Sequence, residues 1–100
     1  MENKFAVGDI LCASYQYDRK INYFYKVAKV CPKSLVLNPV GKKLVRGDMQ
    51  NGYEVAEVNN VDTSCEVRAR LTKRGYYAIG SRYKLAVRKW NGEELDFYSD

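Results

Sequence analysis

The residues of this chain best equipped for chemistry are its cations and its aromatic rings. From Ser64 to Trp90 the sequence sets eight basic residues, Arg68, Arg70, Lys73, Arg74, Arg82, Lys84, Arg88 and Lys89, against one acid, Glu66. Tyr76, Tyr77 and Trp90 are interleaved with them. Guanidinium groups beside stackable rings suit a surface that tracks a nucleic-acid backbone or holds a single strand. The plainer reading is solvated charge, partly neutralised when Glu93, Glu94 and Asp96 fold back across a hairpin. Exposed pairs of that kind contribute about 0–1 kcal/mol each, so they lower the potential more than they stabilise the fold.

A second cluster lies in the stretch Tyr15–Lys26, which reads Y-Q-Y-D-R-K-I-N-Y-F-Y-K. Phe24 and Val30, with Tyr25 and Val27, read as a strand entering a core. Gln16 to Asn22 read as the preceding loop, which leaves Tyr17, Arg19, Lys20 and Tyr23 free to meet a partner. Aromatics and arginine concentrate in binding hot spots of every kind, so this loop does not separate a protein partner from a nucleic acid. Lys42-Lys43, with Arg46 beyond, reads as a solvated basic loop, a phosphate contact being the alternative. Arg46-Gly47-Asp48 spells the tripeptide read by integrins but is expected to be a turn.

Other chemistries have little to work with. The chain has no histidine, the usual general base, and its glycines are isolated rather than gathered into a phosphate loop, so no enzymatic activity is expected. Cys12, Cys31 and Cys65 are odd in number and form no C-x-x-C pair. They read as reduced, small apolar side chains rather than a zinc site or a disulfide framework. No cofactor is implied. The net charge of +5 favours anionic partners. No apolar run approaches the roughly 20 residues of a membrane span, and a cytosolic protein is expected.

The elements that must position these groups are short strands. Val, Ile, Tyr, Phe and Thr are common, no i, i+3, i+4 stripe persists, and Gly, Asn-Gly, Pro and Asp punctuate the runs. The pattern predicts strands at Asp9–Tyr15, Phe24–Val30, Ser34–Val40, Leu44–Arg46, Tyr53–Val58, Glu66–Leu71, Tyr76–Ile79, Tyr83–Trp90 and Glu93–Tyr98. Type I′ hairpins are expected at Asn51-Gly52 and Asn91-Gly92. Alternation turns Val67, Ala69 and Leu71 to one side and Arg68 and Arg70 to the other. Tyr83–Trp90 gives conflicting answers. Tyr83, Leu85 and Val87 form one apolar face, yet the hairpin register makes Trp90, Leu95 and Phe97 another. One hundred residues make one domain. The expected fold is all-β: a small antiparallel SH3-like barrel with an additional C-terminal β-hairpin.

The segment Gly8–Leu37 resembles the opening of a group of short proteins encoded by bacteriophages and other mobile elements. Their pattern runs roughly G-D-I-L-x-x-S-x-x-Y-D, then F-Y-x-V-x-K-V-x-x-K-S. Gly8, Asp9, Ile10, Leu11, Ser14, Tyr17, Asp18, Phe24, Tyr25, Val27, Lys29, Val30, Lys33 and Ser34 match it without a gap. Trp90-Asn91-Gly92-Glu93 looks like a relaxed form of the W-D-G-K-P turn found near the C-terminus of that family. The resemblance implies a phage or mobile-element origin, an SH3-like barrel and a bacterial host cytoplasm, and brings no activity. Ala13–Asp18 also looks like the A-L-Y-D-Y motif of eukaryotic SH3 domains, but the rest of that signature is missing. The opening is similar as well to KOW-type domains of nucleic-acid machinery, an analogy of fold alone.

Two functions are therefore expected as alternatives. One is a non-enzymatic module binding nucleic acid through Arg68, Arg70, Lys73, Arg74, Arg82, Lys84, Arg88 and Trp90 with the Tyr17–Tyr23 loop. The other is a protein-interaction factor that binds a host enzyme, such as a defence nuclease, and inhibits or redirects it. Exposed edge strands leave a homodimer open.

Overall fold

Ile10-Leu11-Cys12-Ala13 and Leu35-Val36-Leu37 are apolar without alternation, which is how a strand covered on both faces reads. In the computed structural model, which describes residues 5–16, 19–80 and 85–98, both runs lie in strands that contribute to two cores. β1 (Ile10–Gln16), β2 (Lys20–Val30) and β3 (Ser34–Gly47) form an antiparallel meander. β4 (Asn51–Val61) pairs with β3, β9 (Leu95–Tyr98) pairs with β4, and Lys20 opposite Tyr98 returns the ladder to β2. Thus β2, β3, β4 and β9 close a four-stranded antiparallel barrel.

The remaining strands extend this ring. β5 (Val67–Leu71) joins β3, β6 (Tyr77–Ile79) joins β5, and β7 (Leu85–Ala86) joins β6. After Val87, whose N–H donates to the Tyr77 carbonyl, the chain enters β8 (Arg88–Lys89) on β1. The sheet therefore curls back on itself a second time. The fold is all-β, a small antiparallel SH3-like barrel with extra strands. Among the described residues no helix is long and apolar enough to cross a membrane.

Two cores result, back to back across β1, β2 and β3. One holds Leu11, Ala13, Val27, Leu35, Leu37, Ala69, Tyr77 and Val87. The other, inside the four-stranded barrel, holds Cys12, Phe24, Val40, Ala56 and Leu95, with Trp90 packed on it. Successive residues Leu11 and Cys12 point into different cores, which is the strand period of two applied to a doubly covered strand. The conflict in the Tyr83–Trp90 segment dissolves in the same way. Leu85 and Val87 face the first core, and Trp90 and Leu95 the second.

Several expectations need correction. β2 begins at Lys20 rather than Phe24, so Lys20 and Tyr23 sit on a strand and not in a loop. Both Asn-Gly sites lack the type I′ turn, which needs positive φ at both central residues; among the described residues only glycines have positive φ. At the β3–β4 tip the positive φ falls on Gly47, and Asn51 and Gly52 already belong to β4. The strands flanking Asn91-Gly92 share no ladder. β8 pairs with β1 and β9 with β4, because Trp90 and Leu95 are drawn into the barrel core. Of Arg46-Gly47-Asp48, expected to be a turn, Arg46 and Gly47 instead end β3, and the turn starts at Asp48, whose Oδ1 accepts the N–H groups of Gln50 and Asn51.

Candidate functional site

The outer surface of β2 and β3 is divided. One half, at Phe24 opposite Val40, lies inside the four-stranded barrel. The other half stays outside it, and there the register sets Lys29 of β2, Val36 of β3 and Arg68 of β5 in one transverse row. Arg70 lies beside Ser34 on the same face, and Lys33 precedes it in the β2–β3 turn. Alternation turns Ala69 into the core and both arginines out, as expected. Lys73 and Arg74 sit on the exposed β5–β6 turn, which the Thr72 N–H closes on the Tyr76 carbonyl. All six cations are exposed.

Arg68 Nη1 donates to the neutral Ser34 hydroxyl at 2.9 Å. Among the described residues no carboxylate pairs with Lys29, Lys33, Arg68, Arg70, Lys73 or Arg74. The acidic C-terminal segment goes elsewhere. Glu93 binds Arg88, Glu94 binds Arg46 and Asp96 binds Lys20. The expected neutralisation of the ridge is therefore confined to Arg88, whose guanidinium pKa is raised by its hydrogen bond to Glu93.

The aromatic half of the expected site is withdrawn. Trp90 packs edge-on against Phe24 at 5.5 Å, and its Nε1 donates to the Glu93 carbonyl. Tyr77 is buried, edge-on to Phe5. Tyr76, 40% exposed, is the ring left at the turn. Burial in the cores outcompetes exposure for these rings because each removes a large apolar area from water. A cationic face with few accessible rings meets phosphates better than bases.

Arg68, Arg70, Lys73 and Arg74 are thus brought together, and Arg88 and Trp90 belong to the barrel seam instead. Tyr17, Arg82 and Lys84 lie outside the described residues. Lys29 and Lys33 complete the face, and alternation alone misplaces Lys29. A bulge at Ala28, between Val27 opposite Leu37 and Lys29 opposite Val36, resets the pleat so that Lys29 and Val27 face opposite sides.

Arg19, Lys20 and Tyr23 lie away from this face, near the open end of the four-stranded barrel. Lys20 is held by Asp96 at 2.6 Å with its side chain 14% exposed, so it is not free for a partner. Tyr23 stays 38% exposed, and Lys42 Nζ sits 5.9 Å from its ring centroid. Arg19 is exposed.

Comparison with protein-family models, with curated proteins and with solved structures finds no match to this chain.

Proposed function

We propose that this chain is a non-enzymatic accessory binding module of a phage or mobile element, acting in the bacterial cytoplasm, that engages nucleic acid through the outer face of β2, β3 and β5. The carrying observation is the patch of six exposed cations, Lys29, Lys33, Arg68, Arg70, Lys73 and Arg74, with no carboxylate partner among the described residues. Such a patch releases counterions on meeting a phosphate backbone, which drives binding without regard to sequence. With Trp90 and Tyr77 committed to the cores, the face offers charge rather than stacking, and a duplex backbone is its best match.

The test is fluorescence anisotropy with random-sequence duplex DNA across a salt series. Binding is expected to weaken log-linearly with salt. The triple variant Lys29→Gln/Arg68→Gln/Arg70→Gln should lower the slope by about 2–3, whereas Arg88→Gln should leave it nearly unchanged. No binding at about 50 mM salt, or an unaltered slope in the triple variant, would overturn the proposal.

One observation favours the protein-interaction reading. The β3–β4 hairpin exposes Leu44, Val45, Met49 and Tyr53, apolar area of the kind that marks protein contacts. A host enzyme bound there, for inhibition or redirection, would be captured from nuclease-treated lysate and lost with Val45→Asp/Met49→Asp.

A further inference from the structure

We infer that the open end of the four-stranded barrel is a binding site for a nucleoside 5′-phosphate, either free or as the end of a strand. A cleft of about 320 Å³ opens there between β2, β3, β4 and β9. That is the lower end of the range for small-molecule sites, so it fits one nucleotide rather than a polymer.

The lining divides into three chemistries. Ile21, Leu44, Phe97 and Tyr98 give an apolar and aromatic wall on which a flat body can stack without base preference. Arg19, Lys20, Lys42 and Lys43 give a cationic rim. Two of these are already engaged, Lys20 by Asp96 at 2.6 Å and Lys42 by Glu54 at 3.2 Å. Arg19 and Lys43, both exposed, have no carboxylate partner among the described residues and are left for a phosphate.

The third element is Glu54, a lining residue that is only 4% exposed. Lys42 Nζ and Asn22 Nδ2 both approach its Oε2. Oε1 is left with lone pairs for another donor. A fatty or purely apolar body would bury that oxygen unpaired, at a cost. A base edge supplies the missing donor, from an exocyclic amino group, as cytosine N4 gives a carboxylate elsewhere, or from a ring N–H. Wall, rim and acceptor together therefore select a nucleotide over a simple anion.

This inference is independent of the outer-face reading, and its test keeps the two apart. The labelled protein is titrated by NMR with the monophosphates of cytidine, adenosine, guanosine and uridine, and with inorganic phosphate. Saturable shifts are expected at Leu44, Phe97 and Tyr98. All four nucleotides, each carrying an N–H donor on its base edge, should bind at least about 10-fold tighter than phosphate. Arg19→Ala/Lys43→Ala should weaken every nucleotide about 10-fold or more, while Arg68→Gln/Arg70→Gln should leave the titration unchanged. Phosphate binding as well as the nucleotides, shifts confined to β5, or no saturable binding would overturn it. A 5′-phosphorylated dinucleotide binding tighter than the free monophosphate assigns the site to a strand end, and the reverse order to free nucleotide.

Discussion

Asn22 Nδ2 lies 3.4 Å from Glu54 Oε2 inside the open end of the four-stranded barrel, with Asn22 fully buried and Glu54 nearly so. Asn22 is the hub of this polar layer. Its Oδ1 accepts the Ser14 hydroxyl at 2.7 Å, its Nδ2 also donates to the Asp96 carbonyl at 2.9 Å, and its own carbonyl accepts Lys42 Nζ. One side chain thus ties β1, β2, β4 and β9 together where the apolar core ends.

Truncating that hub strands its partners. Asn22→Ala leaves the Ser14 hydroxyl, the Asp96 carbonyl and Glu54 without a buried amide, and should destabilise the fold by about 1–3 kcal/mol. Urea unfolding measures it. A loss below about 0.5 kcal/mol would mean that water replaces the amide at no cost.

The two cores make a separate prediction about additivity. Leu35 packs in the first core and Leu95 in the second, with no cluster in common. Leu35→Val and Leu95→Val should each cost about 1 kcal/mol, and the double variant should equal their sum within about 0.5 kcal/mol. A larger coupling would show the cores acting as one.

Much of this architecture was legible in the residues. Val67, Ala69 and Leu71 alternating with Arg68 and Arg70 assigned the faces of β5, and Phe24 was recognisable as core from its strand context. What escaped was the second core. Period-two reasoning assumes one covered face, so Val87 and Trp90 looked contradictory until each had a core of its own. The β3–β4 turn was partly legible, since Arg46-Gly47-Asp48 marked its start while Asn51-Gly52 was the stronger local signal. The fold overrides it, since Asp48 closes the turn three residues earlier by accepting two backbone N–H groups. The binding face was half legible. The arginines of β5 could be placed by alternation, whereas Lys29 depends on a bulge and Trp90 on a packing partner distant in sequence.

Gly47 and Gly75 separate strain from crowding. Both have φ of 93°, a region that costs a side chain about 1–2 kcal/mol. A Cβ on Gly75 would meet nothing within 4 Å, whereas one on Gly47 would stand 2.4 Å from the Asn51 carbonyl oxygen and the Gly52 Cα. Gly47→Ala should therefore cost clearly more than Gly75→Ala, by roughly 1–3 kcal/mol. Paired thermal melts test it, and equal losses would exclude the clash.

Acid should loosen the same turn. The backbone N–H groups of Asn51 and Gln50 hold the Asp48 carboxyl below its ordinary value of 3.8, and the Lys20 ammonium does the same for Asp96. A carboxylate depressed on folding contributes stability in full above its unfolded pKa and loses it as pH falls through the lower folded value. The contribution should therefore be present above about pH 4 and fade below it. Asp48→Asn keeps an oxygen for both N–H groups but removes the titration, so its stability should fall less steeply than that of the parent between pH 4 and pH 2. Parallel acid limbs would exclude Asp48 as a contributor.

The three cysteines offer a readout of the same opening events without denaturant. Cys65 is exposed, Cys31 half-buried and Cys12 fully buried beside Phe24, and burial pushes the Cys12 thiol pKa up despite the nearby Arg88 charge. The reacting species is the thiolate, so Cys12 is protected both by access and by its proton. Iodoacetamide at about pH 8 should modify Cys65 first and Cys31 next, reaching Cys12 only through opening of the four-stranded barrel. Leu95→Val, which loosens that barrel, should speed Cys12 labelling, while Leu35→Val should do so only to the extent that it lowers global stability. Mass spectrometry of timed aliquots resolves the order. Labelling of Cys12 at the rate of Cys65 would mean that the second core does not exclude solvent, and the separation of the two cores would fail with it.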